Sequence, residues 1–446
     1  DSKPWVRGTR YIAYFEGTLH RPAPEGNNPA HNLLGNKTTW AAAEYGNTWV
    51  QTALLKGNPL HDDGYTGNGK LIAVMDGGFT NADTHAGFAA MWANNRMVDK
   101  HNFTYNSDFV FGYDGHGTLA LSTIAGYVPG TFIGSAPNAS YALYVTEHGP
   151  TEQPIELANM LFASERADSV GADVISTSLG YNLFDNPAFD FVFATDFDGK
   201  TTIAAQAANM ATRKGILFVA TAGNEGGGGW NKVLTPGDAD SALTIGSVDY
   251  MGYSATNSSY GPNAAGRVKP DVCGMGQAAA VFIGLGYGNS NGTSFSTPQI
   301  AGWAACLWQA FPGATPYQIR ESIIRCASRY TAPTTQQGYG IPDFWCAEKM
   351  VLSVDNHVQR FERDSWVTVS PNPFSGNIML TIAADTDETV HVSLCDITGR
   401  IVTDFYDKLT RGYNTIERAM PQLPTGIYFL KVASASQQQT VKLLHR

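Results

Sequence analysis

Four short segments of this 446-residue chain carry side chains that could do covalent chemistry together. Asp76 closes an apolar run in Val74-Met75-Asp76-Gly77-Gly78, and His116 lies in Asp114-Gly115-His116-Gly117-Thr118, ahead of a helix pattern. Asn224 ends Ala220-Thr221-Ala222-Gly223-Asn224. Ser294 stands in Asn291-Gly292-Thr293-Ser294-Phe295-Ser296-Thr297-Pro298, before the Ala-rich run Ile300–Phe311. A serine hydroxyl is a weak nucleophile until a base takes its proton, and an imidazole titrating near neutrality suits that task. A carboxylate behind the imidazole fixes its tautomer and stabilises the imidazolium. An asparagine amide and a backbone N–H at a helix start can face a developing oxyanion. The flanking glycines permit tight turns and close approach of a substrate. Taken singly, an Asp-Gly is usually a turn and a Gly-His-Gly a loop. Their joint occurrence in the order Asp, His, Ser is what points to nucleophilic catalysis.

These residues need elements to position them. Leu71–Met75, Ser140–Val145, Ala172–Ser176 and Ile216–Ala220 are short, nearly continuous apolar runs, as expected of strands buried on both faces of a parallel sheet. Between them, Gly117–Gly126, Ile155–Gly171 and Thr202–Lys214 read as helices. Strand–helix alternation implies an α/β fold, a parallel sheet with helices on both faces. Chemistry in such sheets sits at the carboxyl ends of the strands. The expected domain spans residues 44–352. Residues 1–43 read as an N-terminal extension or pro-segment remnant, with one strand over Tyr11–Phe15.

Residues 353–365 are polar and charged, which suits a linker. Beyond it, over 366–446, the helical pattern disappears. Val367–Val369, Ile378–Ile382, Val390–Leu394, Arg400–Phe405, Tyr413–Arg418, Ile427–Val432 and Gln439–Leu444 read as strands of a small C-terminal all-β sandwich.

With 43% hydrophobic and 15% charged residues the chain is globular rather than disordered. Its net charge of −10 argues against nucleic acid or an anionic membrane as a partner. No apolar run is long enough for a membrane span. The chain begins Asp1-Ser2-Lys3-Pro4, from which a leader already removed is the expectation. Five cysteines show no metal spacing. Cys273, Cys306, Cys326 and Cys346 permit three pairings, or stay buried thiols with Cys395. His85, His101 and His148 lack partner patterns, and Gly226–Gly229 lacks the Gly-Lys-Ser/Thr of a phosphate loop, reading instead as a flexible rim.

Asp76-Gly77-Gly78, Gly115-His116-Gly117-Thr118 and Gly292-Thr293-Ser294-Phe295-Ser296-Thr297-Pro298 together resemble the three signature segments of subtilisin-like serine proteases. Tyr65-Thr66-Gly67, Val268-Lys269-Pro270-Asp271-Val272 and Tyr339-Gly340-Ile341-Pro342-Asp343 extend the likeness over roughly residues 44–350. The resemblance implies a secreted endopeptidase with Ser294 as nucleophile, His116 as general base and acid, Asp76 as orienting carboxylate and Asn224 as oxyanion donor. It also implies that Ser178-Leu179-Gly180 pairs with substrate and forms one wall of the P1 pocket, with Thr221-Ala222-Gly223 as the other. Gly78 departs from the commoner Ser or Thr, and Phe295-Ser296-Thr297 from Met-Ala-Ser/Thr. No cofactor is required. Some members hold a structural calcium ion, which Asp62, Asp63 and Asp83 could join, although scattered acids are more often simply solvated.

Ser370-Pro371-Asn372-Pro373-Phe374, Asp396-Ile397-Thr398-Gly399-Arg400, Leu423–Val432 and the basic end Lys442–Arg446 resemble the C-terminal sorting domain of the type IX secretion system. That implies export from a Bacteroidetes-type bacterium, then release or cell-surface attachment, with secretion machinery and protein or peptide substrates as partners. The chain is expected to act as a monomer. A substrate- or carbohydrate-binding sandwich is the competing reading of this module. For the whole chain the alternatives are a fold kept only for binding, disfavoured by the intact set of four residues, and an esterase or transferase using the same triad, disfavoured by the extended segment around Ser178–Gly180.

Overall fold

A computed structural model describes residues 40–351, 366–370, 372–384, 387–410, 412–435 and 437–445. The strand expected at Tyr11–Phe15 and the linker expected at 353–365 lie outside them. The chain divides at Val354/Asp355 into two compact units.

The first unit is built on a seven-stranded parallel sheet. In chain order its strands are β1 (Leu71–Asp76), β2 (Met97–Asn102), β3 (Ser140–Val145), β4 (Val174–Thr177), β5 (Leu217–Thr221), β6 (Leu243–Val248) and β7 (Val272–Met275). Their spatial order is β2-β3-β1-β4-β5-β6-β7. The chain therefore passes from β1 to the edge strand β2, comes back inward through β3, and then crosses to the other side of β1 to wind outward through β4–β7, which makes β1 the switch point where a crevice opens. Every residue of β1 is buried, because helices cover both faces. Ile72 and Val74 join a cluster with Leu121 and Ile124 of α1 (His116–Ala125) and Ile300 and Ala304 of α4 (Thr293–Ala310). Leu71, Ala73 and Met75 pack on the opposite face with Leu157 and Met160 of α2 (Ile155–Ser169) and Ala204 and Ala208 of α3 (Ile203–Arg213). Successive β1 side chains alternate between two cores, the period-two rule of a strand read through a doubly covered sheet.

The helices predicted from the pattern are present with ends moved by one or two residues. Thr202 caps α3, its Oγ1 accepting from Ala205 N at 3.1 Å. The β4 strand starts later than its apolar run because Asp173 turns back, Oδ2 accepting from Leu71 N at 3.0 Å. A hairpin of β8 (Ala279–Ile283) and β9 (Gly286–Ser290) was not anticipated. It delivers the chain to α4, with Gly292 N donating to Gly276 O at 2.8 Å. Cys326 and Cys346 form a disulfide, while Cys273, Cys306 and Cys395 are buried thiols.

The strands of the second unit pair antiparallel, with one isolated parallel bridge between Phe374 and His445. All seven predicted strands occur, as β10 (Val367–Ser370), β11 (Asn377–Ala384), β12 (Glu388–Asp396), β13 (Ile401–Leu409), β14 (Gly412–Ala419), β15 (Gly426–Ala433) and β16 (Gln438–His445). They form sheets of order β10-β11-β14 and β13-β12-β15-β16, whose inward residues, among them Ile378, Leu380, Val392, Leu394 and Leu430, make one apolar core.

Candidate active site

Asp76 ends β1 at the switch point, fully buried. Its Oδ1 accepts from Gly77 N and from His116 Nδ1, each at 2.8 Å. Among the described residues Oδ2 has no hydrogen-bond partner. His116 is the first residue of α1, and its backbone N–H donates to Asp114 Oδ1 at 3.0 Å. The helix can approach β1 this closely only because residue 117 is glycine: a Cβ there would stand 2.8 Å from Asp76 Cβ and 2.5 Å from Gly78 O. Gly78, the departure noted in the sequence, has a reason of the same kind, since a Cβ would meet Asp114 N at 2.6 Å. The Asp76 charge is the main influence on His116, raising its pKa to about 9 against the opposing effect of burial.

Ser294 is the second residue of α4, where a backbone N–H has no helical partner. Gly292 before it has φ +145°, a conformation reserved for glycine, and this turns the chain sharply from β9 into the helix. Ser178 Oγ donates to Ser294 O at 2.9 Å, and Ser294 Oγ lies 3.5 Å from Ser178 O. The Ser294 hydroxyl thus points at the end of β4, and among the described residues it makes no hydrogen bond to the His116 ring. Asn224 is oriented from the α4 side. Its Oδ1 accepts from Thr293 N at 2.9 Å and Thr293 Oγ1 at 3.1 Å, which leaves the Nδ2 amide as the free donor end.

A cleft of about 290 Å³ runs past these groups, lined by Asp76, Asp114, His116, Glu147, Ser178, Leu179, Gly180, Thr221, Gly223, Asn224, Glu225 and Leu234. Ser178, Leu179 and Gly180, which follow β4, and Thr221 and Gly223, at and beyond the end of β5, all line it, with Leu234 carbons between Gly180 and Gly223. Ala222, expected on one wall with Thr221 and Gly223, is fully buried, its N–H donating to Ile245 O at 2.9 Å. Thr221 is buried as well, so burial alone does not separate Ala222 from its neighbours.

Glu147, Glu225 and Leu234 were not picked out from the sequence. Glu147 lies two residues past β3, at a strand carboxyl end where cleft residues are expected, and that position was a usable signal. Burial, then the charges of Asp76, Glu152 and Glu156, push its pKa up to about 8. His85, His101 and His148 are structural: His85 stacks on Phe282 at 4.0 Å, His101 pairs with Asp108 at 2.8 Å and His148 bonds Thr151 at 3.0 Å. Asp62 accepts a backbone hydrogen bond from Trp40. Among the described residues no three His, Cys, Asp or Glu side chains are grouped to hold a metal, Asp62, Asp63 and Asp83 included.

A seven-stranded parallel sheet with a carboxylate, an imidazole and a serine around its switch point defines a hydrolase class that known proteins make explicit. The subtilase family profile matches residues 67–340, more than half of the chain, and the chain belongs to that family. A secretion system C-terminal sorting domain matches residues 368–446. Alkaline elastase YaB of Bacillus sp. (strain YaB) is 30% identical over 68% of this chain and 70% of its own length. Subtilisin DY of Bacillus licheniformis is 28% identical over 62% of this chain and 89% of its own. Among solved structures, the MycP3 protease from the type VII (ESX-3) secretion system shares the fold at a TM-score of 0.54 and 20% identity, over 69% of this chain and 89% of that one. The chain is a subtilisin-like serine endopeptidase carrying a sorting domain for secretion and cell-surface attachment. No helix among the described residues is long and apolar enough to cross a membrane.

Proposed function

We propose that the chain hydrolyses peptide bonds of proteins through an acyl-enzyme on Ser294. The observation that carries this reading is the 2.8 Å bond from His116 Nδ1 to the buried Asp76 carboxylate. It holds the neutral ring with its proton on Nδ1, so that Nε2 is the basic atom turned to the cleft. The Ser294 hydroxyl rotates from the Ser178 carbonyl to His116 Nε2 as substrate binds, a tightening usual between free and occupied sites. Oγ then attacks the scissile carbonyl while Nε2 takes its proton. The oxyanion receives hydrogen bonds from Asn224 Nδ2 and the Ser294 backbone N–H. His116 returns the proton to the leaving amine, and water, deprotonated by the same nitrogen, releases the acid. An extended substrate strand lies along Ser178-Leu179-Gly180, opposite Thr221 and Gly223. The C-terminal unit acts as a type IX secretion signal, a reading supported by its Asn372-Pro373-Phe374 and Asp396–Arg400 segments.

The test is intact-mass analysis after diisopropyl fluorophosphate treatment, with peptide mapping. One adduct, on Ser294, is the expected result. Folded protein that takes no adduct, or takes it on another residue, overturns the assignment.

A further inference from the structure

The space between the two walls of the cleft is occupied by a side chain of the protein itself. Leu234 is bound to one wall through its backbone, its N–H donating to Ala222 O at 3.0 Å. Its isobutyl group then reaches across to the other. A Cβ added to Gly223 would stand 2.5 Å from Leu234 Cγ and 2.7 Å from Cδ1. A Cβ added to Gly180, on the opposite wall, would stand 2.9 Å from Leu234 Cβ and 3.1 Å from Cδ1. Each wall therefore offers a glycine to the slot, and the room that two missing side chains leave is taken up by leucine carbons. Gly223 sits at φ +103°, so that wall cannot carry a side chain instead.

Leu234 is also not an ordinary core residue. It is 6% exposed, yet it joins neither of the two apolar clusters that sandwich the sheet. Its carbons stand where side chains of residues 180 and 223 would begin, and it lines the cleft together with Leu179, Gly180 and Gly223. A buried leucine that packs on the walls of a slot, rather than on the core beneath, shortens the slot.

We propose that Leu234 is the floor of the P1 pocket and restricts this protease to small side chains, glycine, alanine or serine, on the acyl side of the scissile bond. This rests on the reading of the cleft as an endopeptidase site. A benzyl or isobutyl side chain entering between Gly180 and Gly223 would overlap the Leu234 methyl groups. Relief would require Leu234 to leave a position held from both sides, and close-packed surroundings resist such displacement.

The test uses the full chain and para-nitroanilide peptides identical except for Ala, Leu or Phe at P1. Expected for the wild type is a kcat/KM for Ala at least roughly 10-fold above that for Phe, the scale on which a pocket rejects one oversized apolar group. Leu234→Ala is expected to raise the Phe/Ala ratio by at least about 10-fold, and Leu234→Val by less, in step with the volume removed. A wild type that cleaves after Phe as well as after Ala overturns the proposal whatever the variants do. So does an unchanged ratio in a Leu234→Ala protein that still takes the fluorophosphonate label. Failure to cleave any peptide, with no label on Ser294, would sink the endopeptidase reading and this inference with it. Cleavage and labelling with the wrong ratio sink the inference alone.

Discussion

The two units of this chain handle polar groups in opposite ways. In the first, the groups that matter are carried into the interior: Asp76 is fully buried at the end of β1, and the buried Lys269 and Asp271 pair with each other and with the partly buried Arg320. Lys269 Nζ lies 2.7 Å from Asp271 Oδ2, and Arg320 Nη2 lies 2.5 Å from Oδ1. In the second unit the polar groups named by the sequence stay at the surface and shape turns. Asp396 Oδ1 accepts from Thr398 N at 2.9 Å and Arg400 N at 3.1 Å, closing the loop in which Gly399 takes φ +85°. Asn372 clamps the last strand, accepting from Leu444 N and donating to Lys442 O, each at 2.9 Å. A parallel sheet covered on both faces forces functional side chains at its strand ends to be desolvated, and desolvation makes them responsive. A sandwich can leave its recognition segments in water, where each bond contributes little.

Substitutions can break this contrast. The largest expected effect is Ser294→Ala, which should lower kcat by roughly 10⁶-fold, the loss known for the equivalent change in subtilisin, and leave the thermal transition in place. Peptide turnover and calorimetry on one sample would decide, and substantial residual activity would remove Ser294 from its role. Next, Asp271→Asn leaves the buried Lys269 without its carboxylate and should destabilise the first unit by about 3–5 kcal/mol. If the contrast holds, calorimetry shows the transition of the first unit falling while that of the second stays. Asn224→Ala should reduce kcat by roughly 10²–10³-fold with little change in KM, because its amide acts on the oxyanion rather than on bound substrate. A loss confined to KM would contradict that.

A pH profile sharpens the same comparison. His116 must be neutral to act as base, so kcat/KM should rise with pH along a limb lying above the ordinary histidine value, toward 9. Because the folded-state pKa is raised, the His116–Asp76 pair adds stability that is complete below about pH 6.5 and is lost as pH rises through about 9. Asp76→Asn should move the activity limb down, and an unmoved limb would show that another group governs it. The smallest effect belongs to the second unit: Asn372→Ala should cost about 1–2 kcal/mol there and nothing in peptide turnover. Coupled losses in both units would erase the distinction drawn between them.

Much of the site was legible because its segments are short and locally constrained. Gly117 and Gly292 are needed by the backbone geometry around them, so Gly-His-Gly and Gly-Thr-Ser carry their structural reason in the sequence. Four strands of the parallel sheet, β1, β3, β4 and β5, were legible from their apolar runs while β2, β6 and β7 were not, and the seven strands of the second unit were legible from turn residues. The hairpin β8–β9 was not, since Gly286, Gly288 and Asn289 weaken any strand pattern in its second arm. The disulfide was one of several allowed pairings, and only the approach of Cys326 and Cys346 selects it.

The sequence by itself determined the order and identity of the reactive groups, the parallel sheet that presents them and the all-β tail, because each rests on residue type and spacing within one segment. Only the tertiary structure decided that Glu147 shares the cleft with His116. It alone seated Leu234 between Gly180 and Gly223. Those relations join segments far apart in the chain, and no local pattern records which residue fills the space between two backbones until both have been folded against it.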